Sequence, residues 1–143
     1  MKEVTRCIIK NKEGNILLIK HKESESWTLP GGHVENKEDI YTTIKREIKE
    51  ELGVNLKILG YKIGFEVKKV KEKPLPLCVY KVDYTNRKGK KTTKLEYIFL
   101  GKIKDEIIKT QIDEVDEFKW FSIDEIDKLE NTFDQIKEII KIV

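Results

Sequence analysis

Three glutamates lie close together in one short stretch of the sequence, at Glu47, Glu50 and Glu51. On an α-helix, which turns by roughly 100° per residue, their side chains fall within about a third of the circumference. Like charges at this spacing destabilise a helix, and some of the carboxyls would keep a proton unless a cation compensated them. Carboxylate oxygens are the ligands that hard divalent cations such as Mg²⁺ and Mn²⁺ prefer. The spacing therefore points to a divalent-metal site.

A plainer interpretation of the same glutamates competes with this one. A glutamate-rich helix face is usually just exposed to solvent and needs no ligand. The Gly31–Gly32 pair in front of the helix adds to the metal hypothesis, because a backbone without Cβ atoms can approach a ligand closely and offer a carbonyl oxygen. The glutamates alone leave both interpretations open.

The element that positions the glutamates is a helix predicted over residues 38–52. Its apolar residues recur every four positions and form one stripe: Ile40, Ile44, Ile48 and Leu52. Glu38 and Asp39 fall in the predicted first turn, where the helix dipole favours anions. Gly53 follows the last residue of the stripe and is a good C-terminal stop. The stripe begins at the edge of the part of the helix surface that the three glutamates occupy, so we expect the carboxylates along the rim of the core.

Strands and short helices are predicted around this helix. Residues 4–10 and 16–20 are rich in β-formers and flank the turn sequence NKEGN, which predicts a β-hairpin. The other expected elements are one long or two short strands at 54–67, strands at 77–84, 95–103 and 118–121, a helix at 122–129 with Ser122 and Glu125 as a capping box, and a helix at 132–141. This order predicts an α+β domain with a mixed sheet and helices packed on it.

The composition is that of a single domain with mixed charge. The 143 residues include 29 Lys plus Arg against 26 Asp plus Glu, a net charge of +3. So small an excess does not by itself argue for binding to nucleic acid or to a membrane. Cys7 and Cys78 stand far apart without a CxxC motif or a Cys/His cluster, which argues against structural zinc and fits a reducing compartment. The N-terminal segment lacks the apolar stretch of a signal peptide, so we expect a cytoplasmic protein.

One pattern joins the glycine pair to the glutamates. Gly32 is followed after five residues by Glu38 and after seven more by the run 46–54, REIKEELGV. This resembles the Nudix box, GX5EX7REUXEEXGU with U aliphatic, at every specified position. The segments WTLPGG at 27–32 and EVDEFKWFSIDEI at 114–126 are also similar to the family, so the resemblance spans most of the chain. It implies the Nudix fold, an α/β/α sandwich with a mixed β-sheet between helices.

The resemblance implies a role for each residue of the box. Glu47, Glu50 and Glu51 would be catalytic carboxylates that bind the metal, and Gly31 would lend its carbonyl oxygen to the same site. Arg46 would orient Glu47 and pair with Glu38, fastening the loop to the helix. The residues with structural roles would be Gly32, Glu38 and Gly53. A small departure is Lys37, where many members have glycine; we expect a local change in the loop and no loss of chemistry.

The family also places a further acidic residue in a later loop, as a metal ligand or a base. Glu114 is the best match for this catalytic and metal-binding role. Asp113 and Glu117 are near enough in sequence to compete for it, and a plain surface acid is an equal alternative. Two weaker candidates for contact with substrate are Arg6, which could reach a phosphate from the first strand, and His33 in the box loop.

The activity implied by the resemblance is hydrolysis of a nucleoside diphosphate linked to another group. Mg²⁺ would be the cofactor, with Mn²⁺ as an alternative, and the attacking water would be activated by the metal. The short chain suits a small-molecule nucleotide substrate, either a nucleoside or deoxynucleoside triphosphate or an NDP-sugar. The alternatives are an RNA 5′-end pyrophosphohydrolase, for which the lysines at 68–73 and 87–91 leave room, and a nucleotide-sensing module without catalysis. Homodimers are common in the family, so the resemblance also implies a homodimer.

Overall fold

The computed structural model describes residues 1–104, 107–110 and 115–143, without the side chain of Asp116. The strands in chain order are β1 Lys2–Ile9, β2 Ile16–His21, β3 Trp27–Thr28, β4 Gly31–His33, β5 Leu56–Leu59, β6 Cys78–Thr85, β7 Lys91–Ile103 and β8 Val115–Phe121. The helices are α1 Ile40–Leu52, α2 Ile123–Lys128 and α3 Asp134–Ile140. No helix of the described residues is long and apolar enough to cross a membrane.

The strands form two sheets. The larger has the order β4-β1-β7-β5, with β6 also paired to β7, and it is mixed because β1 runs parallel to β7 while the other pairs are antiparallel. The smaller sheet is antiparallel, in the order β3-β2-β8. The predicted α+β class with a mixed sheet is confirmed.

The predicted hairpin between residues 4–10 and 16–20 is wrong. The two segments share only the isolated bridge between Lys10 and Ile16, after which β1 joins the larger sheet and β2 the smaller one. The physical reason is burial on both faces, since consecutive residues such as Ile8 and Ile9 are fully buried. A two-stranded hairpin could not cover both faces, whereas two sheets enclosed by helices can.

Alternate side chains of β1 and β2 enter two separate cores. On one side they pack against the predicted stripe of α1, in a cluster that includes Cys7, Ile9, Leu17, Ile19, Ile44, Ile48 and Leu52. On the other side they pack against α2 and α3, in a cluster that includes Ile8, Ile16, Leu18, Ile126, Ile136 and Ile140. The sheets therefore lie between α1 on one side and the C-terminal helices on the other.

The N-terminus of α1 differs from the prediction, whereas its C-terminus agrees with it. Asp39 is the N-cap, and its carboxylate accepts a hydrogen bond from the Thr42 N–H at 2.8 Å, so the helix begins at Ile40 and Glu38 lies before it. At the other end Gly53 has the expected left-handed conformation, with φ 69°, and its N–H donates to the Lys49 carbonyl at 2.9 Å. Because Glu38 is outside the helix, its side chain can turn back along the helix surface.

The segment after α1 also departs from the prediction. Only Leu56–Leu59 of the expected strand at 54–67 is a named strand, and residues 60–77 form an arm before β6 begins. The Glu72 carboxylate accepts from the backbone N–H groups of Ile63 at 2.6 Å and Gly64 at 2.8 Å, which closes the arm on itself. Later elements agree with the prediction to within a few residues, and the capping box of Ser122 and Glu125 is present.

Lys37, the departure from the family pattern, adopts a φ of 68°. This is the left-handed region that glycine occupies freely and that costs other residues about 1–2 kcal/mol. The loop into α1 therefore keeps a conformation that glycine would favour, and the lysine is strained in it.

Replacing this lysine by glycine is expected to stabilise the protein. Glycine removes the left-handed strain but also makes the unfolded chain more flexible, so we expect a net gain of roughly 0.5–1 kcal/mol for Lys37→Gly. The matched control is Lys37→Ala, which removes the same charge and keeps the strain, and should leave the free energy of unfolding nearly unchanged. Urea denaturation measures both, and equal effects of the two variants would contradict the strain argument.

Candidate active site

The guanidinium of Arg46 organises the carboxylates around α1. Its Nε and Nη2 donate to the two oxygens of Glu38 at 2.7 and 3.0 Å. Its Nη1 donates to Glu47 at 2.9 Å and to Glu50 at 3.1 Å, and Nη2 also reaches the His33 carbonyl at 3.2 Å. The hydrogen bonds that Arg46 donates to Glu38 lower the pKa of Glu38 to about 2, and those that it donates to Glu38 and Glu47 raise the pKa of Arg46. Glu38 and Arg46 are therefore both ionised at neutral pH.

Glu51 occupies a different environment from its neighbours. Its side chain is only 1% exposed, whereas that of Glu50 is 42% exposed. One carboxylate oxygen accepts the Gly31 N–H at 2.8 Å, and the other lies 3.5 Å from Nε2 of His21. A buried carboxylate needs partners of this kind, because burial without them is costly. Glu51 thus ties α1 to β4 and to the end of β2.

The backbone of β4 faces α1 at alternate residues. Ladder bonds run from the Cys7 N–H to the Pro30 carbonyl and from the Val34 N–H to the Glu3 carbonyl, both at 2.9 Å. In an antiparallel pair, hydrogen-bonded and non-hydrogen-bonded residues alternate, so Gly31 and His33 point their N–H and C=O groups away from β1. Gly31 accordingly gives its N–H to Glu51, and His33 gives its carbonyl to Arg46. The outer edge of β4 therefore supplies backbone groups to the site.

The two glycines before the helix are required for different reasons. Gly31 has a φ of 150°, and a Cβ there would overlap the Thr5 carbonyl oxygen and lie 2.7 Å from the Arg6 Cα. A Cβ on Gly32 would instead meet the end of the Glu47 side chain, with both carboxylate oxygens at 2.5 Å. Gly31 is thus needed for β4 to pack on β1, and Gly32 makes room for one carboxylate.

These residues line a cleft of about 520 Å³ between β1, β4 and α1. One wall is acidic and is formed by Glu35, Glu47, Glu50 and Glu51. The cationic residues that line the cleft are Arg6, Arg46 and Lys94. A cleft with charges of both signs suits a substrate that carries phosphates together with a cation.

The donor set fits a hard divalent cation by its chemistry. Three carboxylates of α1 face the cleft, and Gly31, whose carbonyl could join them, lies beside them on β4. Among the residues that the structure describes, no three acidic, histidine or cysteine side chains are already gathered around one metal position. The contacts explain this, because Arg46 Nη1 lies between Glu47 and Glu50 while Gly31 holds Glu51. In this arrangement Arg46 supplies positive charge that balances the crowded glutamates.

The family model of the NUDIX domain matches residues 2–141. The chain belongs to the Nudix family. It is accordingly a hydrolase that acts on pyrophosphate bonds, and the names of two curated relatives refer to the same class of reaction.

The Nudix relatives differ in their names and in how much of the chain they match. An RNA pyrophosphohydrolase of Wolbachia pipientis is 29% identical over 131 residues, which is 87% of this chain and 78% of the relative. A putative 8-oxo-dGTP diphosphatase of Bacillus subtilis is 44% identical over 57 residues, only 40% of this chain and 38% of the relative. The second match is therefore local.

Solved Nudix structures share the fold over nearly the whole chain. A MutT Nudix hydrolase from Burkholderia pseudomallei has a TM-score of 0.70 at 24% identity and covers 99% of this chain and 97% of its own. A Nudix hydrolase from Clostridium perfringens has a TM-score of 0.72 at 18% identity, with 99% of this chain and 94% of its own covered. At these identities the likeness establishes the fold alone.

Most of the residues that the Nudix resemblance singled out come together in the cleft region. These are Gly31, Gly32, Glu38, Arg46, Glu47, Glu50 and Glu51. Glu114 and its competitor Asp113 lie outside the described residues. The third candidate, Glu117, is half exposed and forms an ion pair with Lys20 at 2.9 Å.

Sequence reasoning missed three charged or ionisable residues of the cleft, His21, Glu35 and Lys94, and gave Arg6 little weight. His21 lies 3.5 Å from Glu51 because β2 ends beside α1, a position that no local spacing reveals. Lys94 reaches the cleft because β7 pairs in parallel with β1, which places Lys94 opposite Lys2. His21 could be noticed only as a polar residue at a strand end, a feature that many other residues share, whereas Arg6 and Lys94 lie within β1 and β7.

The difference between the two glycines predicts that alanine will lower turnover at one position and stability at the other. In Gly32→Ala the flexible end of Glu47 has to move, so we expect stability near that of the wild type and a loss of turnover on the order of 100-fold. In Gly31→Ala the clash is with backbone, so we expect a loss of at least about 2 kcal/mol in the free energy of unfolding. Thermal melts and nucleotide hydrolysis assays distinguish them, and an active Gly32→Ala enzyme would contradict the assigned contact.

The lowered pKa of Glu38 predicts a contribution to stability that depends on pH. The folded state favours the ionised carboxylate, so this contribution is fully present above pH 4.5, the ordinary pKa, and is lost as the pH falls toward about 2. The Glu38→Gln variant lacks the titrating group and should lose less stability over this range. Denaturation midpoints of both proteins between these pH values test the point, and parallel curves would argue against it.

Proposed function

We propose that the chain, as a single Nudix domain over residues 1–143, is a divalent-metal-dependent hydrolase of small nucleotides. It would cleave the pyrophosphate bond of a nucleoside diphosphate linked to another group, in a nucleoside or deoxynucleoside triphosphate or an NDP-sugar. The observation that carries the proposal is the cleft in which three glutamates of α1 lie beside the cationic residues Arg6, Arg46 and Lys94. Such a cleft matches the charges of a phosphate chain and its accompanying cation.

The residues proposed to hold Mg²⁺, or Mn²⁺ in its place, are Glu47, Glu50, Glu51, the Gly31 carbonyl and Glu114. When bound, the ion would neutralise charge on the pyrophosphate and make a water molecule a stronger nucleophile. Glu51, which is buried and held by the Gly31 N–H, is suited to a fixed position in the site. Glu50 is the most exposed of the three and has the most room to move.

The chain's own groups account for positioning and proton transfer. Arg46 holds Glu47 and Glu50 at 2.9 and 3.1 Å, so it orients both carboxylates before substrate arrives. A carboxylate within hydrogen-bond reach of the attacking water can accept its proton. We assign this role to the box glutamates as a group, with Glu114 as the further candidate.

The named relatives support a nucleotide substrate. The Bacillus subtilis relative is named for a deoxynucleoside triphosphate, although it matches only 40% of this chain. A sensing module without catalysis has little support, because such modules usually lose a box carboxylate and none is missing here.

An RNA 5′-end pyrophosphohydrolase is the second candidate, and two observations favour it. The Wolbachia pipientis relative, which matches 87% of this chain, is named an RNA pyrophosphohydrolase. The arm at 60–77 carries five lysines against two glutamates and exposes Tyr61 and Phe65, a surface on which single-stranded RNA could pack. Comparison of kcat/KM for a 5′-triphosphorylated RNA and for GTP decides between the two candidates.

The proposal also includes a compartment and an oligomeric state. Both cysteines are free thiols, which supports a reducing compartment and hence the cytoplasm. The homodimer implied by the resemblance stays a prediction, which sedimentation of the purified protein would check.

Glu50→Gln tests the proposed function directly. Loss of one charged ligand and potential base should lower turnover by at least about 100-fold with Mg²⁺, while the fold is retained. The control is Glu138→Gln, which makes the same change on the exposed surface of α3 and should keep full activity. The assay is chromatographic detection of the cleavage products, such as nucleoside monophosphates, from dNTPs, NDP-sugars, ADP-ribose and dinucleoside polyphosphates. Wild-type rates in Glu50→Gln would refute its role, and no turnover of any substrate by the wild type would refute the proposed function.

A further inference from the structure

A buried carboxylate lies behind Arg6 and Lys94, which together form the cationic wall of the cleft. Glu96, on β7, is 2% exposed and is not among the residues that line the cleft. It has three partners among the residues that the structure describes: the Tyr80 hydroxyl donates to it at 2.8 Å, Lys94 Nζ lies at 2.9 Å and Arg6 Nε at 3.5 Å. One carboxylate therefore holds both cations that β1 and β7 present to the cleft.

Glu96 is ionised despite its burial. Burial alone would raise the pKa of its carboxyl, but Arg6, Lys94 and the hydrogen bonds outweigh that effect, so the pKa is lowered. Buried ion pairs of this kind add little net stability compared with apolar residues of the same size. A role in placing the two cations explains the carboxylate better than a role in holding the fold together.

Arg6 is held at two points and still has donors to spare. Its Nη1 donates to the Leu29 carbonyl at 3.0 Å, and its Nε faces Glu96. These are its polar partners among the described residues, whereas a guanidinium carries five N–H donors. Arg6 therefore lines the cleft in a fixed orientation with unused donors, the arrangement that suits a phosphate oxygen.

The charge on this wall is net positive where it meets the cleft. Arg6 and Lys94 carry two positive charges, and their shared counter-ion Glu96 lies behind them, so it does not stand between them and an anion. This side of the cleft therefore presents a positive potential to an anion.

We propose that Arg6 and Lys94, positioned by Glu96, form a phosphate-binding subsite that acts without metal and holds a substrate phosphate across the cleft from the box glutamates. The subsite rests on the proposed function for its biological role, since it would take one phosphate of the chain that is to be cleaved. Glu96 is a positioning residue in this arrangement, because it acts through the two cations and does not line the cleft.

Binding of inorganic pyrophosphate in EDTA tests the subsite apart from catalysis. With metal removed, affinity should come from the cationic wall, so Arg6→Ala is expected to weaken binding by about tenfold or more in calorimetry. The control is Arg87→Ala, which removes the same charge from the exposed turn between β6 and β7 and should bind like the wild type. An unphosphorylated nucleoside should not compete with pyrophosphate. Equal affinity of Arg6→Ala and wild type, or competition by the nucleoside, would overturn the proposal.

The positioning role of Glu96 predicts a split between kinetic constants. Glu96→Gln keeps the shape of the side chain but loses the charge that holds both cations, so KM should rise by about tenfold while kcat changes little. Lys94→Ala, a change nearer the surface, should shift KM in the same direction even if Glu96→Gln folds poorly. A lower kcat with unchanged KM in both variants would contradict the assignment.

Failure of the subsite and failure of the proposed function can be told apart. Turnover with KM unchanged in Arg6→Ala would retain the hydrolase and reject the subsite. Loss of pyrophosphate binding in Arg6→Ala, without turnover of any nucleotide by the wild type, would retain the anion site and reject the proposed function.

Discussion

The contact on which the rest of the site depends is the fork of hydrogen bonds from Arg46. Glu47 and Glu50 lie nearly one turn apart on α1 and would repel each other, but Nη1 of Arg46 lies 2.9 and 3.1 Å from them. The same guanidinium holds Glu38 and the His33 carbonyl, so it also joins the helix to the loop and to β4. A lysine has no planar fork and could not make all of these bonds at once.

The cleft is organised by two residues of opposite sign. Arg46 gathers anions on the side of α1, and the buried Glu96 gathers the cations Arg6 and Lys94 on the side of the larger sheet. Each wall is held in place before a substrate binds. Charges fixed in advance do not need to reorganise during a reaction, which is the main way in which enzymes gain from electrostatics.

The glycines of the box serve two unrelated requirements, although they are adjacent in sequence. Gly31 lies against the backbone of β1, so its lack of a Cβ serves the packing of the sheet. Gly32 leaves space for the Glu47 carboxylate, so its lack of a Cβ serves the site. Lys37 represents a third case, in which a position suited to glycine holds another residue under strain. The presence of glycine in the motif therefore does not reveal whether that glycine is needed for packing of the sheet or for space in the site.

The sequence by itself determined the helix that carries the glutamates, its terminal glycine, the box and through it the family, because these depend on residues a few positions apart. Helical spacing and capping are local, so a pattern is enough to predict them. The tertiary structure alone decided that β1 and β2 belong to different sheets, that His21 reaches Glu51, and that Arg6 and Lys94 share Glu96. Strand pairing joins residues far apart in the chain, and burial on both faces, which no short pattern shows, selects the partners.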